Sequence, residues 1–429
     1  MLMWCAMSTH ATNSRQSKVP MLRRLIVIVT AAILFNSSLT LAESKKPIPP
    51  DKFPPSPLEI TTPDPLLPRL PKDKQSLTLE ERQKLEPALD ALNQEAGVKL
   101  QAGEQVAAFE IWNRELRLRR FLGSLAEVQA LSRVGAIAWK QNDSPEVQYI
   151  TQRLQAIQKQ AESQKTTAEI DLQLWRSLGE AYQNVRSPKL ALEAYDQVLL
   201  VVRQQKNPTA LVEILKTIGE LHLSWFDYRK AAPIYEELLS LATSPGERVN
   251  EVTYLQRLAE IYEQTKQPQQ SLNVLNKLAE IYVNESNLTE IPELKLAIAS
   301  DYESLAKKDP NLLLEAFKNY QEAYTTAWQL QEYVRAGEAL QKLIALYRSQ
   351  GQTDEALQTS QILVQTQAQA ANFYGMMQAY DQIGQLYLER KEFPQALTAF
   401  KKGLELAQQL KYEEAYFTGQ IEKVSKANL

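Results

Sequence analysis

LQLWRSLGEAYQNVRSPKLALEAYDQVLLVVRQ, residues 172–204, carries two apolar stripes of helical period with a break between them. Leu174, Trp175, Leu178 and Tyr182 recur at spacings of three and four, which places them on one face of a helix. Ser187–Pro188 interrupts that face. Proline lacks a backbone donor, and its fixed φ suits a first helical turn rather than an interior. Leu190, Ala191, Ala194, Tyr195 and Val198 then define a second face. Gly179 and Ala191 are small where two such faces would cross, and a larger side chain at either would push the helices apart. The stretch predicts a pair of antiparallel helices in close contact.

The same grammar recurs about every 40 residues. Small residues stand at Ala96, Gly135, Gly179, Gly219, Ala259 and Ala299, and after a local insertion Gly384 resumes the series. Three positions later comes Tyr182, His222, Tyr262, Tyr302 or Tyr387; twelve later comes Ala108, Ala191, Ala231, Ser271 or Ala396. A fixed period of this length means stacked units, none of which buries its apolar face alone. The expected breaks use helix-start chemistry: Ser144–Pro145, Ser187–Pro188 and Asp309–Pro310 each put a capping side chain before a proline, and Asn207–Pro208 opens a unit likewise. Gln267–Pro268 and Phe393–Pro394 keep the proline without a good cap. Pro233 falls inside a second helix and should bend it.

At these residues the chain resembles the tetratricopeptide repeat (TPR) family. The family pattern reads Trp175, Leu178, Gly179, Tyr182, Ala191, Tyr195, and again Tyr380, Ile383, Gly384, Tyr387, Ala396, Phe400. Weaker copies are Leu215, Ile218, Gly219, His222, Ala231, Tyr235 and Leu255, Leu258, Ala259, Tyr262, Ser271, Leu275. The units depart from the family period by about a turn of extra helix. Tyr302 to Ala316 holds a further insertion, and Ala102–Gly103 marks a degenerate first unit. The resemblance implies an all-α fold, a TPR-like α-solenoid of about eight antiparallel helix pairs. The array spans residues 77–411, and a polar capping helix follows over 412–429.

Upstream, the chain reads as an address and a spacer. Arg23 and Arg24 precede an apolar run from Leu25 to Phe35, too short to span a bilayer comfortably, and Thr40 and Ala42 offer a cleavage site. Residues 1–42 therefore read as an upstream extension and signal peptide, with Met21 the expected start and a periplasmic or otherwise exported destination. An uncleaved signal anchor is the alternative. Residues 43–76 are proline-rich, with ten prolines between Pro47 and Pro71, and predict a polyproline-like spacer.

Composition excludes much chemistry. The formal charge is −3, and residues 1–42 carry four bases and no acid, so the remainder is more acidic still and is no footprint for nucleic acid. Arg114, Arg117, Arg119 and Arg120 form a locally basic segment, read as a solvated helix face or as a docking site for an acidic partner. The single cysteine, Cys5, lies in the presequence, so the exported part has neither disulfide nor thiol nucleophile. Its single histidine, His222, occupies the aromatic position of a repeat. No Walker A or GxSxG motif occurs. Asn284-Glu-Ser and Asn287-Leu-Thr match glycosylation sequons, a weak signal. The expectation is a non-enzymatic chain without a cofactor.

One polar row has the period of the repeat. Glu180, Glu220 and Glu260 follow the small residue of successive units, and Arg176, Lys216 and Gln256 stand four residues before them. The TPR resemblance puts this row on the concave face. Three readings stay open: i,i+4 pairs Arg176–Glu180 and Lys216–Glu220, a ladder that grips a protein or peptide partner, or carboxylates gathering Mn²⁺ or Ca²⁺. Relatives that clamp a terminal carboxylate need Lys and Asn here; glutamate replaces that Asn, so their activity is not implied. The chain reads as an exported protein-binding scaffold or assembly factor. The alternative is a periplasmic Mn/Ca-handling factor, since signal, proline spacer and repeats together resemble photosystem-assembly TPR proteins.

Overall fold

The computed structural model describes residues 56–59, 63–67, 77–163, 171–242 and 246–427. The expected signal peptide, Met21 start and Ala42 cleavage site, and much of the proline-rich segment, lie outside them. Residues 57–429 form one unit, which contains every described helix.

Seventeen α-helices occur among the described residues. They fall into eight pairs: α1 (Leu79–Gln101) with α2 (Gln105–Arg119), α3 (Ser124–Lys140) with α4 (Ser144–Ser163), α5 (Leu172–Asn184) with α6 (Pro188–Gln205), and α7 (Pro208–Ser224) with α8 (Tyr228–Leu241). Then come α9 (Arg248–Gln264) with α10 (Pro268–Asn284), α11 (Ile291–Ala306) with α12 (Leu313–Gln329), α13 (Tyr333–Ser349) with α14 (Thr353–Gln369), and α15 (Phe373–Glu389) with α16 (Phe393–Leu410). A final helix, α17 (Glu414–Ala427), lays Phe417 and Val424 against the last pair. Each helix packs on its neighbours in sequence, so the core runs along the array rather than closing around a centre. This is the expected TPR-like α-solenoid. The only β pairing among the described residues is an isolated bridge between Asp64 and Leu67.

The crossings are set by small residues, as the repeat predicts. A Cβ built on Gly219 would lie 2.9 Å from the Tyr235 ring, and one on Gly384 would lie 2.5 Å from the Phe400 ring. Gly179 meets Tyr195 and Gly403 meets Phe417 more closely still. In each case an aromatic ring from the next helix fills the space that glycine leaves. The sixth pair inserts a 3-10 turn, Pro310–Leu312, before its second helix, so Ala316 and Tyr320 take the buried small and aromatic positions five residues late. The seventh pair reverses the pattern. Ile344 stands where the glycine of the next unit stands, 40 residues before Gly384, and Ser360 stands 40 before Phe400; both are buried. The bulk has moved from second helix to first, which is why the small-residue series skips this unit.

The helix breaks depart from expectation in two ways. Ser187 makes no side-chain cap bond, and α4 is capped by Asp143, whose Oδ1 accepts from Glu146 N at 3.1 Å, with Ser144 already inside the helix. Asp309 and Asn207 do cap, accepting from Asn311 N and Ala210 N. The turns are closed mainly by non-glycine residues in the left-handed region, among them Asn142, Arg186, Phe226, Lys266, Ala371 and Lys391. The residue after each sends its N–H back to a carbonyl five residues earlier: Ser187 to Tyr182, Gln267 to Tyr262 and Glu392 to Tyr387. That turn makes the repeat tyrosine part of the break as well as of the core. Pro233 lies inside α8, as expected, and Pro87 lies inside α1, behind a Thr78–Glu81 capping box that sequence reading missed.

The proline-rich segment is more than a spacer where it is described. Leu58 is 2% exposed and belongs to the core cluster that runs from the first pair to α7. Leu67, 5% exposed, packs with Leu85, Leu89 and Leu118 at the start of the array. The folded unit therefore begins near Pro57, about twenty residues before the helical period does.

Candidate functional site

The row Arg176, Glu180, Lys216, Glu220, Gln256 and Glu260 falls on α5, α7 and α9, the first helices of three successive pairs. Glu180, Glu220, Gln256 and Glu260 are exposed; Arg176 and Lys216 are half-buried. The proposed i,i+4 pairing does not form. Arg176 Nη1 instead donates to Glu213 on the next unit at 3.0 Å. Lys216 donates to Asn250 at 3.4 Å and lies 5.6 Å from the centre of the Tyr254 ring, again one unit on. Stacking brings the next first helix within reach of these long side chains, and a partner there competes with the carboxylate one turn away. Gln256 Nε2 donates to Tyr282 of α10 at 2.9 Å, and Glu260 accepts from Arg257 at 3.1 Å. The cations of the row are thus spent between repeats, while Glu180 and Glu220 face outward.

At its last rung the row opens into a cleft of about 310 Å³ between α9, α10 and α11. Leu275, Leu278, Leu294 and Ala297 give it an apolar lining. Its polar lining is acidic: Glu260, Glu263, Glu290, Glu293 and Asp301, with no Lys or Arg. Burial pushes the Asp301 carboxyl up, Ser271 opposes this through a hydrogen bond, and Glu263 adds to it. Asp301 Oδ2 is buried without a hydrogen-bond partner. Glu263, Glu290, Glu293 and Asp301 were absent from the sequence-derived row, because they sit elsewhere in the helical period and meet only when three helices stack. Among the described residues no group of three or more His, Cys, Asp or Glu is arranged to hold a metal ion.

The basic segment is not a solvated face. Arg114 grips Asp64 with two bonds, Nε to Oδ2 at 2.8 Å and Nη2 to Oδ1 at 2.9 Å. That contact holds the Asp64 carboxyl below its ordinary range. Arg117 Nη1 donates to the Pro57 carbonyl and Arg120 Nη2 to the Leu58 carbonyl, each at 2.7 Å. Arg119 turns the other way, to Glu115 and Asp90. Sequence showed four like charges; it could not show that Arg114, Arg117 and Arg120 reach partners 50, 60 and 62 residues upstream.

Two buried carboxylates are structural. Glu115, fully buried, accepts from Arg133 Nη2 at 2.7 and 2.9 Å and from Arg119 Nε at 2.9 Å. Glu127 accepts from Arg153 at 2.6 and 2.9 Å. His222 is buried as its repeat position predicts, and burial lowers its pKa despite Asp227 at 3.7 Å. No described helix is long and apolar enough to cross a membrane.

No protein family and no curated protein sequence matches this chain. Among solved structures it is similar to BtubC from P. vanneervenii, with 17% identity over 52% of this chain and 92% of that one and a TM-score of 0.36. MamA gives 23% identity over 47% and 95% of the two chains, with a TM-score of 0.34. Aspartyl phosphate phosphatase F from Bacillus subtilis gives 15% over 69% and 78%, with a TM-score of 0.39. At these scores the likenesses carry no further argument, and the fold assignment rests on the helix pairs themselves.

Proposed function

We infer that this chain is a non-enzymatic scaffold, exported to the periplasm or a similar compartment, that holds a segment of a protein partner against the row Arg176, Glu180, Lys216, Glu220, Gln256 and Glu260. The observation that carries the reading is the cleft at the row's last rung. Gln256 and Glu260 border it, its lining is part apolar and part acidic, and one of the two Asp301 carboxylate oxygens, Oδ2, is buried without a hydrogen-bond partner. A lysine or arginine of a partner segment fits that description: the alkyl stem covers Leu275, Leu278 and Leu294, and the charged head meets Glu263 and Asp301. The exposed Glu180 and Glu220 extend the same negative field along the row.

The test is a charge-reversed chain carrying Glu180→Lys, Glu220→Lys and Glu260→Lys, with capture of partners from the native host's periplasmic fraction. The parent should retain a partner whose binding weakens as salt rises. The reversed chain should lose it while keeping its helical circular dichroism, because exposed charges contribute little to stability. Equal capture by both chains would remove the row from the function.

A further inference from the structure

We propose that Arg114, Arg117 and Arg120 form a receptor for an extended acidic protein segment, occupied in cis by residues 57–59 and 63–67 until a competing segment displaces them. This surface lies on α2 and the turn after it, apart from the polar row, and does not depend on it. The chain's own segment shows the mode of recognition. Leu58 enters the core at 2% exposure, Leu67 enters a second cluster at 5%, and Asp64 takes a bidentate grip from Arg114. Arg117 and Arg120 hold main-chain carbonyls of Pro57 and Leu58. Carbonyl recognition is blind to side chains, so any extended segment with a leucine and a carboxylate spaced as Leu58 and Asp64 are meets the same arginine bonds and the same pocket.

The charge balance favours a competitor. Asp64 is matched by Arg114, and Glu127 is matched by Arg153. Arg117 and Arg120 spend their hydrogen bonds on neutral oxygens, Arg120 Nε is buried without a hydrogen-bond partner, and Glu127 at 3.7 Å and the resident segment's own Glu59 act on Arg120 only through space. A guanidinium bond to a carbonyl is already charge-assisted, but a carboxylate in the same place adds a charge–charge attraction that a carbonyl lacks. A segment that offers carboxylates at these two places therefore binds better than the resident one. What the resident segment has in its favour is the tether, which supplies an effective concentration of about millimolar order.

The experiment uses the full chain and a fluorescent peptide with the sequence of residues 56–68, followed by fluorescence anisotropy. Leu58→Ala with Asp64→Ala opens the site, and that chain should bind the peptide at least tenfold more tightly than the parent. Adding Arg114→Ala and Arg117→Ala to it should remove the gain. A peptide whose Leu and Asp are both Ala should bind at least tenfold more weakly. If the opened chain stops being helical by circular dichroism, Asp64→Ala alone takes its place, with the same direction expected. A helical opened chain that binds no tighter than the parent overturns the proposal. So does equal binding of the altered peptide, since the arginines would then be an unselective basic patch.

Discussion

The Phe400 ring stands where a side chain on Gly384 would have to go: a Cβ there would lie 2.5 Å from Cε1, 2.7 Å from Cζ and 2.8 Å from Cδ1. Tyr195 and Gly179, Tyr235 and Gly219, and Phe417 and Gly403 repeat the relationship along the array. One helix is stripped of its side chain so that the next can seat a ring, and the pair is the unit of packing. Gly179→Leu and Gly384→Leu should each cost about 1–3 kcal/mol by overpacking, seen as a lower midpoint of urea unfolding. Gly97, on α1 with nothing within 4 Å of its Cβ position, is the control. Gly97→Ala should stabilise by roughly 0.5–1 kcal/mol, because glycine in a helix interior forfeits chain entropy. Midpoints that move alike for Gly97 and Gly384 would refute the crossing assignment.

The array was legible because its period writes the same contact many times, so one missing letter changes little. Gly179 with Tyr182 and Ala191 is enough to place two helices and the crossing between them. Legibility failed where partners are far apart in sequence or where the repeat is broken locally. Ile344 and Ser360 hide the seventh pair because the volume is kept while its owner changes. Arg114 looks like surface charge because Asp64 lies 50 residues away, in a segment whose prolines advertise only stiffness. The turns were read through proline and glycine, yet Arg186 and Lys266 adopt the left-handed conformation that closes them. For the candidate site, periodicity selected Gln256 and Glu260, and stacking supplied Glu263 and Asp301.

Glu115 should be the most costly charge to remove. It is fully buried and holds Arg133 and Arg119 together across α2 and α3. Glu115→Ala leaves two guanidiniums at the site without their shared carboxylate, and breaking a buried pair in this way costs about 3–5 kcal/mol. Glu180→Ala, at an exposed position, should change stability by less than about 0.5 kcal/mol. Chemical denaturation of the two variants side by side checks the contrast, and equal midpoints would show that the Glu115 network is not what joins these helices.

Glu146 should make stability depend on pH. Its carboxyl is pushed up to about 7 from 4.5, chiefly by burial, with Asn113 opposing through a hydrogen bond and Asp143 adding repulsion. Between those two values the folded chain holds a proton that the unfolded chain has released. Stability from this group is therefore greatest below about pH 4.5, falls as pH rises through that window, and is level above about 7. Glu146→Gln keeps an acceptor for Asn113 and removes the titration. At pH 8 it should be more stable than the parent by on the order of 1–3 kcal/mol. At pH 4 the two should be nearly alike. Thermal melts from pH 4 to 8 decide it, and parallel curves for the two chains would assign Glu146 an ordinary pKa.

Leu58 should matter to the array although it lies outside every repeat. Its side chain is 2% exposed, within the cluster that also holds Trp112, Leu116 and Leu131. Truncating a leucine so placed leaves a cavity that a helical core closes only in part, at a cost of about 2–5 kcal/mol. Leu58→Ala should therefore lower the unfolding midpoint by an amount typical of a core leucine. Cutting at Leu77 instead takes away Leu58, Leu67 and the Asp64–Arg114 contact at once, and the midpoint should drop further than for Leu58→Ala. If the chain beginning at Leu77 melts with the parent, residues 57–67 rest on the array without stabilising it. The start of the folded unit would then move back to α1.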